Sequence, residues 1–205
     1  LVTQISLEHP DLNIRIRASD AVDFHENLLL REFEITNLTE QQQEVRLFFH
    51  QDFHIAEHVI GDTAYYEPDR RAIIHYKGKR WFLINGAILH SKGDPGPGWP
   101  ATEDTAEGFV VGVHQWACGL KEIHNLEGTW RDAQDGQLSL GTVAHGSVDS
   151  TVGLVQTIPP NQSRRLYYWI AIAENFEGVT RINRLVRQRG PQRFIQRTAN
   201  YWQLC

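Results

Sequence analysis

Residues 44–85 read EVRLFFHQDFHIAEHVIGDTAYYEPDRRAIIHYKGKRWFLIN, and this stretch decides the fold. Val45, Leu47 and Phe49 stand at alternate positions, which is the period of a strand with one buried face. Further along, the apolar runs AIIHY and WFLI lie on either side of a short connection that contains Gly78. Two β-rich runs joined in this way are typical of a hairpin. The sequence therefore predicts an antiparallel sheet.

The rest of the chain repeats this pattern of short apolar runs separated by turn residues. Further runs predicted as strands are 3–7, 12–17, 28–35, 109–113, 143–149, 152–158 and 165–173. Asp135 and Gly136 form a dipeptide that is common in hairpin turns, so a hairpin is expected there. About ten strands at this spacing indicate two packed sheets or a barrel.

Four longer segments carry a family resemblance. They are LFFHQDFHI (47–55), GDTAYYEPDRRAIIHYKGKRWFLING (61–86), EGTWRDAQDGQLS (127–139) and HGSVDST (145–151). In this order they resemble the N-terminal β-sandwich domain of glucoamylase-like enzymes of glycoside hydrolase family 15, a group that includes bacterial and archaeal glucoamylases, glucodextranases and trehalases. The resemblance extends over nearly the whole chain.

The resemblance implies a fold and a domain organisation. The fold is all-β, a large antiparallel two-sheet sandwich of the supersandwich kind with a short helical linker at its C-terminal end. Residues 1–175 would form the sandwich, and residues 176–205 would form the linker towards an (α/α) barrel that is absent from this sequence.

The resemblance also implies an activity for the parent protein. Such a parent hydrolyses α-glucosidic bonds in starch oligosaccharides or in trehalose, with inversion, using two carboxylates of the barrel and no cofactor. No catalytic residue is then expected in this chain, and its principal partner is its own barrel domain. The alternative is a stand-alone carbohydrate-binding β-sandwich module.

The last thirty residues differ in pattern from the rest. Apolar residues recur at helical spacing over 179–186 and again over 195–202. In the family this segment resembles the helix that leads into the barrel, so Phe194, Tyr201 and Trp202 are predicted to face that domain. The other interpretation is a tail that packs on its own sandwich.

Composition limits the class of partner. The chain has 205 residues, 41% of them hydrophobic, which is enough for one sizeable core. Its net charge of −5 argues against a nucleic acid or an anionic membrane as partner, since both favour concentrated basic surface. The sequence has no run of ~20 apolar residues of the length that a membrane span needs.

Two further features bear on cellular location. Cys118 and Cys205 are the only cysteines, so no disulfide framework is expected and a reducing, cytoplasmic compartment is favoured. The sequence contains no Met, which indicates an excerpt or a processed product and leaves secretion open.

Two tryptophans are candidate sugar-binding residues. Trp99 lies in the Gly- and Pro-rich loop 91–105, and Trp130 lies in another turn-rich segment. Exposed indole rings stack on sugar faces, so these two would contact an α-glucan or trehalose. Trp81 and Trp169 stand inside apolar runs and are expected in the core.

Four carboxylates are candidates for acid–base chemistry, namely Glu127, Asp132, Asp135 and Asp149. Glycoside hydrolysis needs two carboxyl groups roughly 5 to 9.5 Å apart. Arg131 next to Asp132 indicates the other interpretation, a loop braced by ion pairs and by side chain to backbone hydrogen bonds. We favour the second interpretation.

His50, His54 and His58 recur every four residues, a spacing that places three imidazoles on one face of a strand. Such a set suits a zinc or copper site. At ~3.3 Å per residue, however, the outer two would lie about 26 Å apart, too far for one ion. Structural histidines and no metal are therefore expected. Cys118 is likewise expected to be a buried thiol and not a nucleophile.

Overall fold

The structure is a computed structural model and describes residues 2–57, 60–89, 106, 108–121 and 127–204. Within these residues the chain forms twelve strands and three α-helices. The strands are β1 (Val2–His9), β2 (Ile14–Val22), β3 (Leu28–Asn37), β4 (Gln43–Gln51), β5 (Asp62–Glu67), β6 (Ala72–Lys77), β7 (Arg80–Leu89), β8 (Phe109–Val111), β9 (Gln115–Leu120), β10 (Val143–Gly146), β11 (Val148–Ile158) and β12 (Ser163–Ala173). The helices are α1 (Thr129–Asp132), α2 (Phe176–Arg189) and α3 (Pro191–Gln203).

Two antiparallel sheets contain all of these strands. The large sheet has nine strands in the order β1-β2-β3-β12-β7-β6-β5-β10, and β8 also pairs with β7. The small sheet has three strands in the order β4-β11-β9. The prediction of an all-β, two-sheet antiparallel sandwich is confirmed, as is the hairpin of β6 and β7 around Gly78.

Strand β12 shows how the large sheet divides its two faces. Leu166 and Tyr168 point towards the small sheet, where Leu166 belongs to a cluster with Leu154 of β11. Tyr167 and Trp169, the alternate residues, belong to the cluster on the opposite face. Because neighbouring side chains of a strand point to opposite sides, one apolar run supplies two cores.

Helices α2 and α3 cover the second face of the large sheet. Val179, Ile182 and Val186 of α2, together with Phe194 of α3, share a core with residues of the strands. Helices are thus present where the sequence predicted them, but they pack against the sandwich and add to its core. Residue 175 marks a change of secondary structure and not the end of the hydrophobic core. None of the described helices has the length and apolar character to cross a membrane.

Local sequence signals define the ends of these helices. The Asn175 side chain accepts a hydrogen bond from the Gly178 N–H at 2.8 Å, as an N-cap residue does. Between α2 and α3 the chain turns at Gly190, whose φ of 81° is unfavourable for residues with a Cβ atom. Pro191 then begins α3, a position at which its missing N–H is not needed.

The predicted hairpin turn at Asp135 and Gly136 is wrong. Residues Ala133–Asp135 form a 3₁₀ turn that directly continues α1, and Gly136 ends it in the left-handed region with φ 84°. An Asp-Gly pair serves a helix end as well as a hairpin, because both need a residue that tolerates positive φ. The dipeptide alone does not distinguish them.

Candidate functional site

The segment 127–142 begins on the outer face of the small sheet, the face turned away from the large sheet, and its residues 140 and 141 then run along the edge of β9. Its α1 lies against β9 and β11, and the Thr129 hydroxyl is 3.0 Å from the Thr151 hydroxyl of β11. On one side of this segment is an open cavity of about 510 Å³, lined among others by Glu127, Asp132 and Asp135. Three of the four candidate carboxylates therefore lie around one cavity.

The fourth carboxylate, Asp149, lies beneath α1 and is buried, with 1% of its surface exposed. It accepts a hydrogen bond from the Thr129 N–H at 3.1 Å, at the start of α1. His50 of β4, which is partly exposed, donates its Nε2–H at 3.0 Å to Oδ2 of this carboxylate, the same oxygen that accepts from Thr129. Asp149 thus joins two strands of the small sheet to the segment that covers them.

The other three carboxylates are engaged in contacts that brace the loop. Asp132 accepts a hydrogen bond from the Ser139 N–H at 2.6 Å, and Asp135 accepts one from the Gln137 N–H at 2.9 Å. The exposed Glu127 carboxylate lies 3.8 Å from the Arg131 guanidinium. These contacts are those of a loop stabilised by its own side chains, which was the favoured interpretation of this cluster.

Trp130, one of the two candidate sugar-binding residues, is on the surface beside this cavity with 38% of its area exposed. The Arg131 guanidinium carbon lies 4.8 Å from the centroid of an indole ring, so one face of the ring is partly covered. Trp99 lies outside the described residues. Trp169 is fully buried in the core as expected, whereas Trp81 is only partly buried and packs against that core and against Phe176 of α2.

The histidine triplet does not form a cluster in the part of the chain that the structure describes. His50 binds Asp149, whereas His54 follows the end of β4 and lies 3.8 Å from Asp52. His58 lies outside the described residues. Among the described residues no group of three His, Cys, Asp or Glu side chains has the geometry of a metal site.

Cys118 is buried on β9, on the side of the small sheet that faces the large sheet. Burial, together with the charge of Asp149, raises the pKa of this thiol to about 12. A thiol with such a pKa stays protonated near neutral pH, so it is not a nucleophile. This agrees with the interpretation of a buried structural cysteine.

The predicted interdomain residues of α3 have different environments. Phe194 is 1% exposed and packs within the core that the helices share with the large sheet. Tyr201 stacks on Phe24 with the ring centroids 4.3 Å apart, and Trp202 is 52% exposed. Of the three predicted residues, Phe194 is therefore enclosed by this chain itself, whereas Tyr201 and Trp202 lie at the surface next to the exposed Leu204.

An ion pair between the partly exposed Arg197 and the buried Asp23 holds helix α3 to the sandwich. Arg197 donates two hydrogen bonds, of 2.6 and 2.7 Å, to the Asp23 carboxylate in the turn between β2 and β3. Burial alone would raise the pKa of Asp23, but the hydrogen bonds from Arg197 and from the N–H groups of Glu26 and His25 outweigh it and keep the pKa below its ordinary value. The end of α3 thus has a fixed orientation on the sheet.

A second open cavity, of about 660 Å³, was not predicted from the sequence. It lies along α2 beside the turn between β5 and β6, and its lining includes Arg70, Arg181, Arg184 and Arg187. The spacing of the three helical arginines was the available signal, because residues three and four apart lie on one side of a helix. Arg70 comes from a distant part of the chain, and nothing local relates it to α2.

Comparison with known proteins identifies solved structures of similar fold. No protein-family model matches the chain, and no curated protein matches it by sequence. Among solved structures it is similar to a bacterial glucoamylase in complex with acarbose, with a TM-score of 0.62, 10% identity, and coverage of 98% of this chain and 27% of that one. A candidate kojibiose phosphorylase from the human microbiome gives a TM-score of 0.48, 8% identity, and coverage of 98% and 23%. The chain spans about a quarter of the length of these structures, and the likeness to the glucoamylase shows a shared fold.

Proposed function

We propose that this chain is a non-catalytic β-sandwich domain of a glucoamylase-like glycoside hydrolase. The observation that carries the proposal is the fold: 98% of the chain matches a portion amounting to 27% of a bacterial glucoamylase. The sequence segments that resemble family 15 support the same assignment. In such a parent the chemistry belongs to a separate helical barrel, where two carboxylates would hydrolyse an α-glucosidic bond of a starch oligosaccharide or trehalose with inversion.

The contacts of the candidate carboxylates support the non-catalytic role. Asp132, Asp135 and Asp149 each accept a hydrogen bond from a backbone N–H, and Glu127 lies by Arg131. A general acid or base must be within reach of substrate, yet Asp149 is buried beneath α1. The surface that the domain would present to a barrel is the end of α3, which carries exposed aromatic side chains and is held in place by the Arg197–Asp23 pair.

The test compares this chain with the natural gene product that contains it. We expect the full-length protein to release glucose from maltotetraose or trehalose and the 205-residue chain to release none. Glu127→Gln and Asp132→Asn in the full-length protein should leave kcat within about twofold, because neither carboxylate takes part in the reaction. Glucose release by the isolated chain that either substitution abolishes would overturn the proposal, and so would a full-length product inactive on every α-glucoside tested.

A second candidate is a stand-alone carbohydrate-binding module, favoured by the exposed Trp130 beside the 510 Å³ cavity. It requires that the chain bind a maltooligosaccharide and that Trp130→Ala weaken the binding by about tenfold, the loss expected for one aromatic stacking contact. Trp99→Ala tests the other candidate residue in the same calorimetric titration. A purely structural domain gives no binding heat with a maltooligosaccharide.

A further inference from the structure

The two sheets differ in width, and the small sheet does not extend over one end of the large sheet. Among the described residues the large sheet has nine strands and the small sheet has three. The edge strand β4 of the small sheet packs over β3, with the rings of Phe49 and Phe33 5.4 Å apart between centroids. Beyond β3 the large sheet continues with β2 and β1. Because neighbouring strands are about 4.8 Å apart, these two strands extend roughly 10 Å past β4.

The side of β1 and β2 that is turned towards the small sheet is apolar. Ile14 and Ile16 of β2 pack against the cluster between the sheets and remain partly exposed. Leu7 of β1 pairs with Ile16 and therefore projects from the same face, as does Ile5 two residues away. Leu7 is 62% exposed and Ile5 is 51% exposed. These four residues, which we call the apolar strip, continue the core between the sheets out to the surface.

The opposite side of the same two strands is polar along most of its length. It carries Glu8 and Arg15, which form an ion pair at 2.9 Å, and Arg17, whose guanidinium lies 3.4 Å from Glu34. Ser6 of β1 projects from this side as well, because it alternates with Leu7. An antiparallel sheet with one polar and one apolar face usually has the apolar face packed on a core. The apolar strip is therefore a core-facing surface that is left exposed at Ile5 and Leu7.

The edge of β4 beside this strip has the features of a template for further strands. Strand β4 pairs with β11 in continuous register from Gln43 to Gln51, and no other strand of the described residues pairs with it. Natural edge strands are commonly protected by proline, by a bulge or by charges that point inwards. Strand β4 has no proline and no bulge against β11, and its inward residues Val45, Leu47 and Phe49 are apolar. Such an edge accepts an additional strand through its backbone N–H and C=O groups.

We propose that two further β-strands of the parent protein, from outside these 205 residues, pair with the free edge of β4 and cover the apolar strip. The first strand lies over β2 and the second over β1. Their apolar residues alternate with polar ones and face the large sheet, so they extend the small sheet and its core. The proposal rests on the proposed function in one respect only, namely that the chain is part of a longer protein.

A second copy of this chain does not fit the same place. In an antiparallel two-fold pairing of β4 with β4, the large sheet of the copy would lie in the layer that β2 and β1 already occupy. In a parallel two-fold pairing the two large sheets would lie on opposite sides of the joined small sheets, and the apolar strip would stay uncovered. Strands that cover the strip must therefore come without a large sheet of their own.

The first experiment measures how fast a maleimide labels single cysteines in the full-length natural gene product, with peptide mass spectrometry to read each site separately. Leu7→Cys lies in the apolar strip, and Ser6→Cys is the matched control because it lies on the polar side of the same strand. We expect Leu7→Cys to react at least about tenfold more slowly than Ser6→Cys, since a covered thiol reacts only after local opening. Equal rates, or a natural product with no residues beyond these 205, would overturn the proposal.

The second experiment identifies what covers the strip. The photoreactive residue benzoylphenylalanine replaces Leu7 in the full-length product, and mass spectrometry identifies the peptide to which it crosslinks. We expect a crosslink within one polypeptide to a segment outside these 205 residues. A crosslink to residues of this chain, or a crosslinked product with the mass of two polypeptides, would overturn the proposal.

Hydrogen exchange of the full-length product tests the pairing with β4. The N–H groups of β4 that are not bonded to β11 should exchange at least about tenfold more slowly than those on the free edge of β1, and equal exchange would contradict the added strand. None of these measurements uses glucose release. A parent that is inactive on every α-glucoside but shields position 7 would overturn the proposed function alone, whereas an active parent with equally reactive positions 6 and 7 would overturn this proposal alone.

Discussion

Asp149 and Ser150 are neighbours on β11, yet they belong to two different polar networks on opposite faces of the small sheet. Ser150 faces the large sheet, where its hydroxyl donates to Gln51 at 3.0 Å and lies 2.7 Å from His75 Nε2. Asp149 faces the other way, towards Thr129 and the partly exposed His50. The network of Ser150 is enclosed between the sheets, and we call it the inner network. The network of Asp149 lies beneath α1 beside an open cavity, and we call it the outer network.

The comparison shows that adjacent residues of one strand can have different environments. Ser150 belongs to an enclosed polar network, whereas Asp149 lies beside an open cavity. The inner network is fully buried, and Gln51 extends it by donating to the Tyr168 hydroxyl at 3.0 Å. Because Ser150 uses its proton on Gln51, it accepts from His75, which fixes the proton of that imidazole on Nε2. Every partner in this network comes from the chain itself, so its contribution is to stability and specificity of packing.

The largest effect should follow from removing the carboxylate of the outer network. Asp149→Ala leaves the buried Thr129 N–H and the His50 imidazole without their acceptor, and we expect a loss of about 2–4 kcal/mol in the free energy of unfolding. The measurement is urea denaturation at neutral pH. Asp135→Ala is the control, because its carboxylate accepts one N–H in an exposed turn and should cost about 1 kcal/mol or less. Equal losses of unfolding free energy in the two variants would show that Asp149 contributes no more than a carboxylate in an exposed turn.

The next effect concerns the inner histidine and the response to pH. Burial, with a smaller contribution from Lys121, lowers the pKa of His75 from 6.5 to about 3. Burial also lowers the pKa of His114 to about 4, and its Nδ1 accepts the Val155 N–H at 2.6 Å. The unfolded chain therefore takes up protons that the folded chain does not, so stability is complete above pH 6.5 and decreases as the pH falls.

We expect a loss of about 2 kcal/mol for each of these histidines between about pH 7 and pH 5. In His75→Gln the pH-dependent part of the loss should fall to about half, whatever the absolute stability of the variant. Asp23 does not interfere in this range, since its pKa lies below 3.8 in the folded chain and its stabilising effect is lost only in more acidic solution. Urea denaturation at both pH values measures the effect, and an unchanged slope in the variant would contradict the burial of a neutral His75.

The local sequence predicted much of this architecture, because strand alternation and turn residues are properties of short segments. Val45, Leu47 and Phe49 indicated β4 correctly, and the helical spacing after residue 175 indicated α2 and α3. The sequence predicted separate strands over 143–149 and 152–158, whereas β11 is one strand from Val148 to Ile158. Within this strand the period of two places Asp149 and Ser150 on opposite faces. It does not say which face is enclosed, since that depends on a second sheet whose strands lie far away in the chain.

The candidate site shows the same limit. The sequence named the carboxylates near Trp130, but the backbone N–H groups that they contact are identified only in the folded structure. The arginine-lined cavity was missed because Arg70 and Arg184 line the same cavity only after α2 has packed on the large sheet. Contacts between segments that are distant in the chain determine both sites, and local periodicity does not predict such contacts.

The smallest predicted effect tests whether the two networks are independent. Ser150→Ala removes a partner of Gln51 and His75 and should cost about 1–3 kcal/mol. The double variant with Asp149→Ala should lose the sum of the two single losses to within about 0.5 kcal/mol, because the networks share no hydrogen-bond partner although the residues are adjacent. A coupling well above that value would show that β11 shifts as a unit when either face is altered, and the strand would then transmit changes from the outer cavity to the core.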